Sequence, residues 1–296
     1  MRPITKIIYS ALTVAILAMG TLTANGASGD LFASIDAGPG NGSIYQYTPT
    51  GVQTTFASGL SHPRGLAFDS AGNVFVATSF CQAVCHNTIL KITPDGTQTV
   101  FATLAGFFAE GVAIDRSDNV FVVLTNPGLF RFTIAIIYKF TPDGRRVAFG
   151  ILPGPGVEGF GLAFDSAGNL FAADAVQSTI YKFAPDGTRS VFVGPEAGIG
   201  PVGLAFDLFG NLFVSTQTFP FTNDTIFEFT PSAVKSTFAT GLTGPRGLAF
   251  DSAGNLFVAE IPLSGPGDIL KITPGGTRTV FASGFGGVPE YLAIQP

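Results

Sequence analysis

The stretch Gly161-Leu-Ala-Phe-Asp-Ser-Ala-Gly-Asn-Leu-Phe171 recurs letter for letter from Gly247 to Phe257. Near-copies begin at Gly65, Gly111 and Gly203, so that successive copies start 46, 50, 42 and 44 residues apart. A period of this length is typical of propeller blades that contain four strands each. The sequence therefore predicts a tandem array of β-sheet blades from about residue 30 to the C-terminus.

Each unit divides into four short runs of strand-forming residues separated by turn signals. In the unit that begins at Gly247, we expect strands at 248–251, 256–260, 269–273 and 279–282. The Asp-Ser-Ala-Gly-Asn connection supplies an aspartate that can bond the turn amides and a glycine for a positive φ. The later Pro-Asp-Gly connection acts in the same way, because proline presets the first turn angle.

A Leu-Phe or Val-Phe pair marks the second strand of every unit, and counting these pairs gives six blades. Their phenylalanines are Phe32, Phe75, Phe121, Phe171, Phe213 and Phe257. The first unit lacks an inner strand, whereas residues 291–296 form an inner strand with nothing after it. We therefore predict an all-β, six-bladed β-propeller with four antiparallel strands per blade, closed by the C-terminal strand joining the N-terminal blade.

The N-terminal 24 residues have the layout of a secretory signal peptide. Arg2 and Lys6 precede an apolar run at 7–20, which is short for a bilayer span. We expect a signal peptide at 1–24 and a single propeller domain at 25–296, in a protein that is secreted or periplasmic. An uncleaved membrane anchor is the alternative; once the signal is removed, no membrane attachment is expected.

Charge and composition limit the classes of partner that the chain is expected to bind. Loss of the signal removes two basic residues and no acid, and this moves the formal charge from -5 to -7. An acidic chain without a basic run has little attraction for phosphates, so nucleic acid is not expected as a partner. Hydrophobic residues make up 46% of the chain and charged residues 12%, which indicates strands buried on both faces. A monomer is expected.

Two cysteines, Cys81 and Cys85, lie in one connection. In an oxidising compartment, a pair this close predicts a disulfide that pins a short loop, with free thiols as the alternative. The sequence Cys81-Gln-Ala-Val-Cys85-His86 also resembles a lengthened attachment signature of c-type haem, although the extra residue departs from the usual spacing.

The residues just before each inner strand should ring one mouth of the central channel, on the face that carries the variable loops. They are Arg64, Glu110, Phe160 with Glu158 two positions earlier, Val202, Arg246 and Glu290. Asp174 and Glu260, at the ends of two second strands, should lie nearby. This set predicts binding of a polar ligand or of a divalent cation such as Ca²⁺, with Glu110 and Glu290 as metal ligands. Alternatively, the charged residues pair with one another.

His62 lies close to the predicted mouth and is the candidate for an acid/base role. The alternative is an ordinary loop histidine. The chain contains neither a Gly-x-Ser-x-Gly motif nor a nucleotide-binding loop. Beyond a divalent cation, the sequence predicts no cofactor.

The repeated Gly-Leu-Ala-Phe-Asp-Ser-Ala-Gly-Asn-Leu-Phe-Val-Ala and the following Ile-x-Lys-Phe/Ile-Thr-Pro-Asp-Gly resemble NHL-repeat propellers and their gluconolactonase-like relatives. The resemblance covers nearly all of the chain after the signal. That superfamily includes metal-dependent lactonases, streptogramin lyases and pure binding proteins. A lactonase-like role implies a channel metal, for which Glu110 or Glu290 would be the glutamate ligand. A lyase-like role implies a catalytic histidine, which His62 matches loosely.

Two functions follow. The regularity of the repeats favours a secreted binding or scaffold module that holds a protein, peptide or glycan on its variable loops. Those loops are 79–87, 126–132, 219–224 and 261–267. The alternative is a metal-dependent lactone hydrolase or a streptogramin-type lyase with its site at the channel mouth.

Overall fold

Antiparallel β-sheets of four strands each form the described part of the chain. The structure, a computed structural model, describes residues 28–81, 85–105, 108–125, 135–154, 159–195, 199–218, 223–262 and 264–296. Within these ranges the chain forms six sheets arranged as a ring of blades, so the predicted six-bladed propeller is confirmed. No helix in the described ranges is long and apolar enough to cross a membrane.

The strands follow one another in chain order with short connections. They are β1 (Leu31–Asp36), β2 (Gly42–Tyr47), β3 (Gln53–Leu60), β4 (Pro63–Phe68), β5 (Val74–Cys81), β6 (Cys85–Ile92), β7 (Gln98–Ala105), β8 (Phe108–Ile114), β9 (Val120–Thr125), β10 (Ala135–Phe140), β11 (Arg146–Leu152), β12 (Gly159–Phe164), β13 (Leu170–Asp174), β14 (Thr179–Phe183), β15 (Arg189–Val193), β16 (Pro201–Phe206), β17 (Leu212–Thr216), β18 (Asp224–Phe229), β19 (Lys235–Leu242), β20 (Pro245–Phe250), β21 (Leu256–Glu260), β22 (Asp268–Ile272), β23 (Arg278–Ala282) and β24 (Val288–Ile294).

The two ends of the chain complete one blade together, as predicted. In this blade 1 the order from the channel outward is β24, β1, β2 and β3. Leu31 pairs with Ile294, and Phe32 pairs with Ala293. Blades 2 to 6 are β4–β7, β8–β11, β12–β15, β16–β19 and β20–β23. Every inner strand is therefore hydrogen-bonded to a second strand of its own blade, and the two chain ends are held in one sheet.

The predicted strand bounds hold best for the second strands. In the last unit, β21 has the predicted bounds, whereas the inner strand β20 begins at Pro245, three residues before the predicted start at Leu248. The difference arises because Pro245 also pairs with Glu260, across a shift in register between Pro245 and Leu248. The residue before the repeated glycine thus lies inside the inner strand.

Side chains of the repeat stabilise the turns between inner and second strands. Asp69 Oδ1 accepts hydrogen bonds from the backbone N–H groups of Ala71 (3.0 Å) and Asn73 (2.8 Å), and the Asn73 amide donates to Asp69 Oδ2 at 2.7 Å. Gly72 has a φ of 77°, which a side chain would disfavour. Corresponding Asp–Asn hydrogen bonds occur at Asp115, Asp165, Asp207 and Asp251.

Phenylalanines pack between the blades as core residues. Phe32 in the second strand of blade 1 makes edge-to-face contacts with Phe56 in its outer strand and with Phe68 in the inner strand of blade 2. The ring centroids lie 5.0 and 4.9 Å apart, a favourable separation for aromatic pairs. Phe121 and Phe171 make the same two kinds of contact.

A lysine on the third strand joins the turn aspartate to the second-strand phenylalanine in four blades. In blade 2, Lys91 Nζ lies 3.6 Å from Asp69 Oδ2 and 5.3 Å from the centre of the Phe75 ring. Lys139, Lys182 and Lys271 repeat this arrangement in blades 3, 4 and 6. The repeated Ile-x-Lys pattern is therefore explained by an ion pair combined with a cation–π contact.

The inner strands approach one another so closely that only glycine fits at one position. A Cβ on any of the five repeated glycines would come closer than 3.0 Å to backbone of the next blade. These residues are Gly65, Gly111, Gly161, Gly203 and Gly247. At each of them the pairing with the second strand shifts register. Such a bulge re-aims neighbouring side chains.

Below the glycine ring, apolar side chains nearly fill the channel. Leu66, Val112, Leu162, Leu204, Leu248 and Leu292, one from each inner strand, line a cavity of about 60 Å³ together with Tyr291 and four of the glycines. A cavity of this size holds a few water molecules but no organic ligand. A ligand of the channel would therefore have to bind at its mouth.

Some predictions fall on residues that the structure does not describe fully. Cys81 and Cys85 are opposed in the β5–β6 ladder, but their side chains lie outside the described part of the chain, so the disulfide stays a prediction. The predicted signal peptide lies outside it altogether.

The close approach of the inner strands predicts a large effect of a single methyl group. We expect Gly203→Ala to lower the free energy of unfolding by about 3 kcal/mol, because the added Cβ would overlap the Arg246 carbonyl oxygen. Urea denaturation would measure the loss. Gly286→Ala is the matched control, since a Cβ there meets no atom within 4 Å, and it should change stability by less than about 0.5 kcal/mol. Equal losses in the two variants would contradict the explanation.

Candidate functional site

Four charged residues from four inner strands meet at the channel mouth. Each directly precedes the bulged position of its strand: Arg64 on β4, Glu110 on β8, Arg246 on β20 and Glu290 on β24. Because the bulges lie next to the channel axis, they bring these side chains over its opening. The structure thus places the four in one cluster, the mouth cluster.

Glu290 is the centre of the mouth cluster. Its carboxylate is only 4% exposed and accepts from two guanidinium groups. Arg64 Nη1 lies 2.8 Å from Oε1, and Arg246 Nη1 lies 2.5 Å from Oε2. Both carboxylate oxygens are therefore engaged, and two blades are tied to the C-terminal strand by charge-assisted hydrogen bonds.

The balance of charge at the mouth keeps both arginines protonated. Burial alone would lower the pKa of Arg64, but the carboxylates of Glu110, Glu290 and Asp36 outweigh burial and raise it. Burial and the carboxylates of Glu290 and Glu110 act in the same opposed way on Arg246, and its pKa is also raised. Both guanidinium groups thus remain fixed positive charges in a half-buried setting.

Apolar side chains form the other side of the mouth. Phe160, which precedes Gly161, lies under the Arg246 guanidinium at 5.6 Å from ring centre to Cζ. Val202, which precedes Gly203, is buried. The partly exposed Phe160 therefore gives the mouth an apolar surface next to its charged residues.

Two buried donor groups at the mouth have no hydrogen-bond partner among the described residues. They are Arg246 Nε and the Tyr291 hydroxyl. Burial, reinforced by the nearby Glu110 carboxylate, raises the pKa of Tyr291 well above its usual value, so the phenol keeps its proton. Both groups are therefore donors, and buried donors in native proteins are generally paired. A ligand oxygen at the mouth would supply an acceptor.

His62 forms a pair with an aspartate beside the mouth cluster. Its Nδ1 lies 3.0 Å from both carboxylate oxygens of Asp36, and Asp36 Oδ2 lies 3.9 Å from Arg64 Nη2. His62 has a φ of 42°, a left-handed conformation that is uncommon for residues other than glycine. Strained conformations of this kind are concentrated at functional sites.

Asp36 is the site residue that sequence reasoning missed. The sequence predicts acids at the mouth at the ends of second strands, three residues after the repeated phenylalanine, as at Asp174 and Glu260. In blade 1 the residue at that position is Ile35, and the acid follows one residue later. The pairing between β1 and β24 shifts register between Ala33 and Ile35. The sequence signal for Asp36 is therefore an acid one residue later than the position of Asp174 and Glu260.

The other predicted mouth residues contact backbone N–H groups of their own or an adjacent loop. Asp174 is fully buried and accepts from the backbone N–H of Gln177 at 3.1 Å. Glu260 Oε1 accepts from the backbone N–H of Thr243 at 2.8 Å. Glu158 lies outside the described residues. Within the described part, the site is therefore the mouth cluster with Asp36, His62 and Tyr291.

The side chains at the mouth do not suit a divalent cation. Ca²⁺ takes six to eight oxygen ligands, whereas both oxygens of Glu290 already accept from arginines and Glu110 lies close to the same positive charges. Among the described residues, no group of three or more His, Cys, Asp or Glu side chains is placed to hold a metal ion. The predicted pairing of charges with one another describes this geometry better than metal ligation.

Fold and mouth together define the chain as a six-bladed β-propeller with a charged channel mouth. No family model matches the chain, and no curated protein matches it. Among solved structures, it is similar to a catalytically inactive histidine-to-alanine variant of virginiamycin B lyase from Staphylococcus aureus with quinupristin. The identity is 17%, the TM-score is 0.59, and the match covers 86% of this chain and 84% of that one.

Two further solved structures have the same fold. A protein proposed to be a 6-phosphogluconolactonase from Bacteroides fragilis is 14% identical, with a TM-score of 0.61 and coverage of 89% of this chain and 97% of that one. The PQQ-bound aldose sugar dehydrogenase from Streptomyces coelicolor is 17% identical, with a TM-score of 0.60 and coverage of 82% and 88%. The resemblance to lyase and lactonase propellers is thus confirmed at the level of the fold.

Removal of the charge on Glu290 should destabilise the protein strongly. In Glu290→Gln two half-buried guanidinium groups lose their shared anion, and we expect the free energy of unfolding at pH 7 to fall by about 3 kcal/mol. Urea denaturation would measure the change. A loss below about 0.5 kcal/mol would show that the mouth cluster does not contribute to stability.

The same substitution at Glu260 should have the opposite sign. Burial raises the pKa of Glu260, although the Thr243 N–H partly offsets this, so the folded state favours the protonated form. Ionisation therefore destabilises the fold as pH rises from the usual value of 4.5 through the raised pKa. Glu260→Gln keeps an acceptor for Thr243 and should raise Tm at pH 7 by roughly 1–2 °C. In thermal melts, this gain should vanish below the usual pKa; a gain that persists there would refute the explanation.

Proposed function

We propose that the channel mouth is the active site of a small-molecule enzyme that opens a lactone or ester by acid–base chemistry. The observation that carries this proposal is the His62–Asp36 pair, in which His62 has a left-handed backbone conformation and Asp36 lies 3.9 Å from the Arg64 guanidinium. Metal-dependent chemistry is not part of the proposal, because the carboxylates at the mouth do not suit a cation.

His62 is the proton acceptor in this proposal. A carboxylate that holds Nδ1–H fixes the tautomer of an imidazole and leaves Nε2 as the base. Nε2 of His62 makes no hydrogen bond to the described residues, and the side chain is 35% exposed, so a ligand can reach it. Asp36 is a positioning residue, since it acts through His62.

Arg246 and Tyr291 supply the opposing donors. The Arg246 side chain is 19% exposed, so its guanidinium can donate to the carbonyl oxygen of a lactone or ester, where negative charge develops during C–O cleavage. Its Nε and the Tyr291 hydroxyl are buried donors that reach a substrate only if the mouth opens around them. The partly exposed Phe160 beside Arg246 favours a substrate with an apolar body next to its ester group.

Two reactions fit this arrangement. In an elimination, the base removes the proton next to the ring carbon that carries the ester oxygen, the C–O bond breaks, and an alkene and a carboxylate form. In a hydrolysis, the base removes a proton from water, which attacks the carbonyl carbon; the acyl C–O bond then breaks, and the leaving alkoxide takes the proton from His62, so that a carboxylic acid and an alcohol form. The likeness to virginiamycin B lyase supports the first reaction, since the solved variant that lacks one histidine is catalytically inactive.

The alternative remains a secreted or periplasmic module that binds a protein, peptide or glycan without turnover. The unpaired donors at the mouth support ligand binding in either case. Of the loops 79–87, 126–132, 219–224 and 261–267 that would contact such a partner, residues 82–84, 126–132, 219–222 and 263 lie outside the described part of the chain. Binding through them stays a prediction.

A panel of macrocyclic and small lactones would test the enzyme proposal, with product mass as the readout. Elimination gives a ring-opened product of unchanged mass, and hydrolysis adds one water. We expect turnover by the wild type and a loss of about 10²–10⁴-fold in kcat for His62→Asn, which removes the base while tolerating a positive φ. Asp36→Asn should lower kcat and shift its pH profile, because the imidazole loses its orientation.

Glu228→Gln, on the face opposite the mouth, is the control and should keep full activity. Substrate binding should survive in His62→Asn, because the donors at Arg246 and Tyr291 remain. Saturable lactone binding without turnover by the wild type would favour the binding module. Full activity in His62→Asn would remove His62 from the reaction.

A further inference from the structure

Blade 5 departs from the repeat in the turn between its first two strands. Blades 2, 4 and 6 have Ser-Ala here, as at Ser252-Ala253, and blade 3 has Arg116-Ser117, whereas this turn has Leu208 and Phe209. These side chains are 78% and 87% exposed, the highest values among the large hydrophobic residues described. The turn keeps its geometry, since Asp207 Oδ1 accepts from the N–H groups of Phe209 and Asn211. The apolar pair is therefore not required by the fold.

The third strand of blade 5 departs from the repeat at a second position. In blades 2, 3, 4 and 6 a lysine pairs with the second-strand phenylalanine in register and lies 3.6–3.8 Å from the turn aspartate. In blade 5 the residue opposite Phe213 is Glu228. An acid thus replaces the cation that elsewhere neutralises the aspartate, and Asp207 and Glu228 add like charges.

These two departures meet in one groove between blades 5 and 6. The groove has a volume of about 530 Å³ and includes Asp207, Leu208, Phe209 and Glu228. Its floor and far wall come from Phe213, Phe238, Phe250, Ser252, Ala253, Gly254 and Pro274. An apolar cleft edged by two carboxylates results. It lies on the face opposite the channel mouth, because Asp207 follows the end of β16 that points away from the mouth.

We propose that this groove binds a peptide segment in which a lysine or arginine stands next to a large apolar residue. The apolar side chain would pack against Leu208, Phe209 and the phenylalanine floor. The cation would take the place of the lysine that the other blades carry, between Asp207 and Glu228. The partner segment thus restores in trans the ion pair that blade 5 lacks.

Charge also disfavours two other occupants of the groove, a second copy of this chain and an anionic bilayer. A second copy of this chain in a two-fold arrangement would bring two Asp207–Glu228 pairs together, which like-charge repulsion disfavours. An anionic bilayer surface would be repelled in the same way, although exposed Leu and Phe side chains alone would suit a lipid surface. The proposal does not depend on the function of the mouth.

Fluorescence anisotropy with defined hexapeptides would test the proposal. The probes are Gly-Lys-Leu-Lys-Phe-Gly, the same peptide with Glu for Lys, and the same peptide with Ala for Leu and Phe. We expect the wild type to bind the first probe at least about tenfold more tightly than the other two, with affinity that falls as salt rises. Equal binding of all three probes, or no saturable binding of the first up to about 1 mM, would overturn the proposal.

Variants that restore the repeat provide the matched controls. L208S/F209A recreates the Asp-Ser-Ala-Gly-Asn turn, and E228K recreates the lysine, so both should fold as the other blades do. Each should weaken binding of the Lys-Leu-Lys-Phe probe by about tenfold or more, and unchanged affinity in both would refute the site. Sedimentation should show a monomer. Wild-type self-association that L208S/F209A abolishes would identify a second copy as the occupant and overturn the peptide proposal, as would binding to anionic vesicles in place of peptide.

Discussion

The structure depends on the close approach of its inner strands at the repeated glycines. Six sheets can surround a channel this narrow only if the backbone of one inner strand touches that of the next, and five glycines permit the contact. The register shift at each glycine follows from the same crowding and directs the preceding residue over the mouth. Packing at the axis therefore determines where functional side chains can be placed.

The sixth inner strand breaks this rule in a way that joins folding to the site. It has Tyr291 where the others have glycine, and Tyr291 belongs to the buried apolar cluster between blades 1 and 2 that includes Phe32 and Leu66. The residue before it is Glu290, the shared anion of both arginines. The C-terminal strand β24 thus closes the ring and supplies Glu290 to the mouth cluster. The cluster is therefore complete only when β24 has paired with β1.

The fold could be predicted almost fully from the sequence, because each repeated residue has a local role in a turn, a bulge or an interblade contact. The four mouth charges could be predicted for the same reason, since they occupy one register position. Asp36 could not, because it lies one residue beyond the second-strand position that Asp174 and Glu260 occupy, which in blade 1 is Ile35. The register of Glu260 predicts a place at the mouth, but its carboxylate accepts a hydrogen bond from the backbone N–H of Thr243 in an adjacent loop. The loops differ in length and sequence from blade to blade, so the repeat does not predict their conformation.

Residues that depart from the repeat differ in whether they conserve its contacts, and the hydrogen bonds show which of them do. In blade 1 the third-strand residue is Gln46, and its amide donates to Asp30 Oδ2 at 2.7 Å, so the substitution keeps a donor for the acid. In blade 5 Glu228 accepts a 3.4 Å hydrogen bond from Ser236 and offers Asp207 no donor. A change that conserves the pairing needs only the fold to explain it. A change that removes the donor, beside two exposed apolar residues, needs a reason outside the blade, and a partner that carries the missing cation provides one.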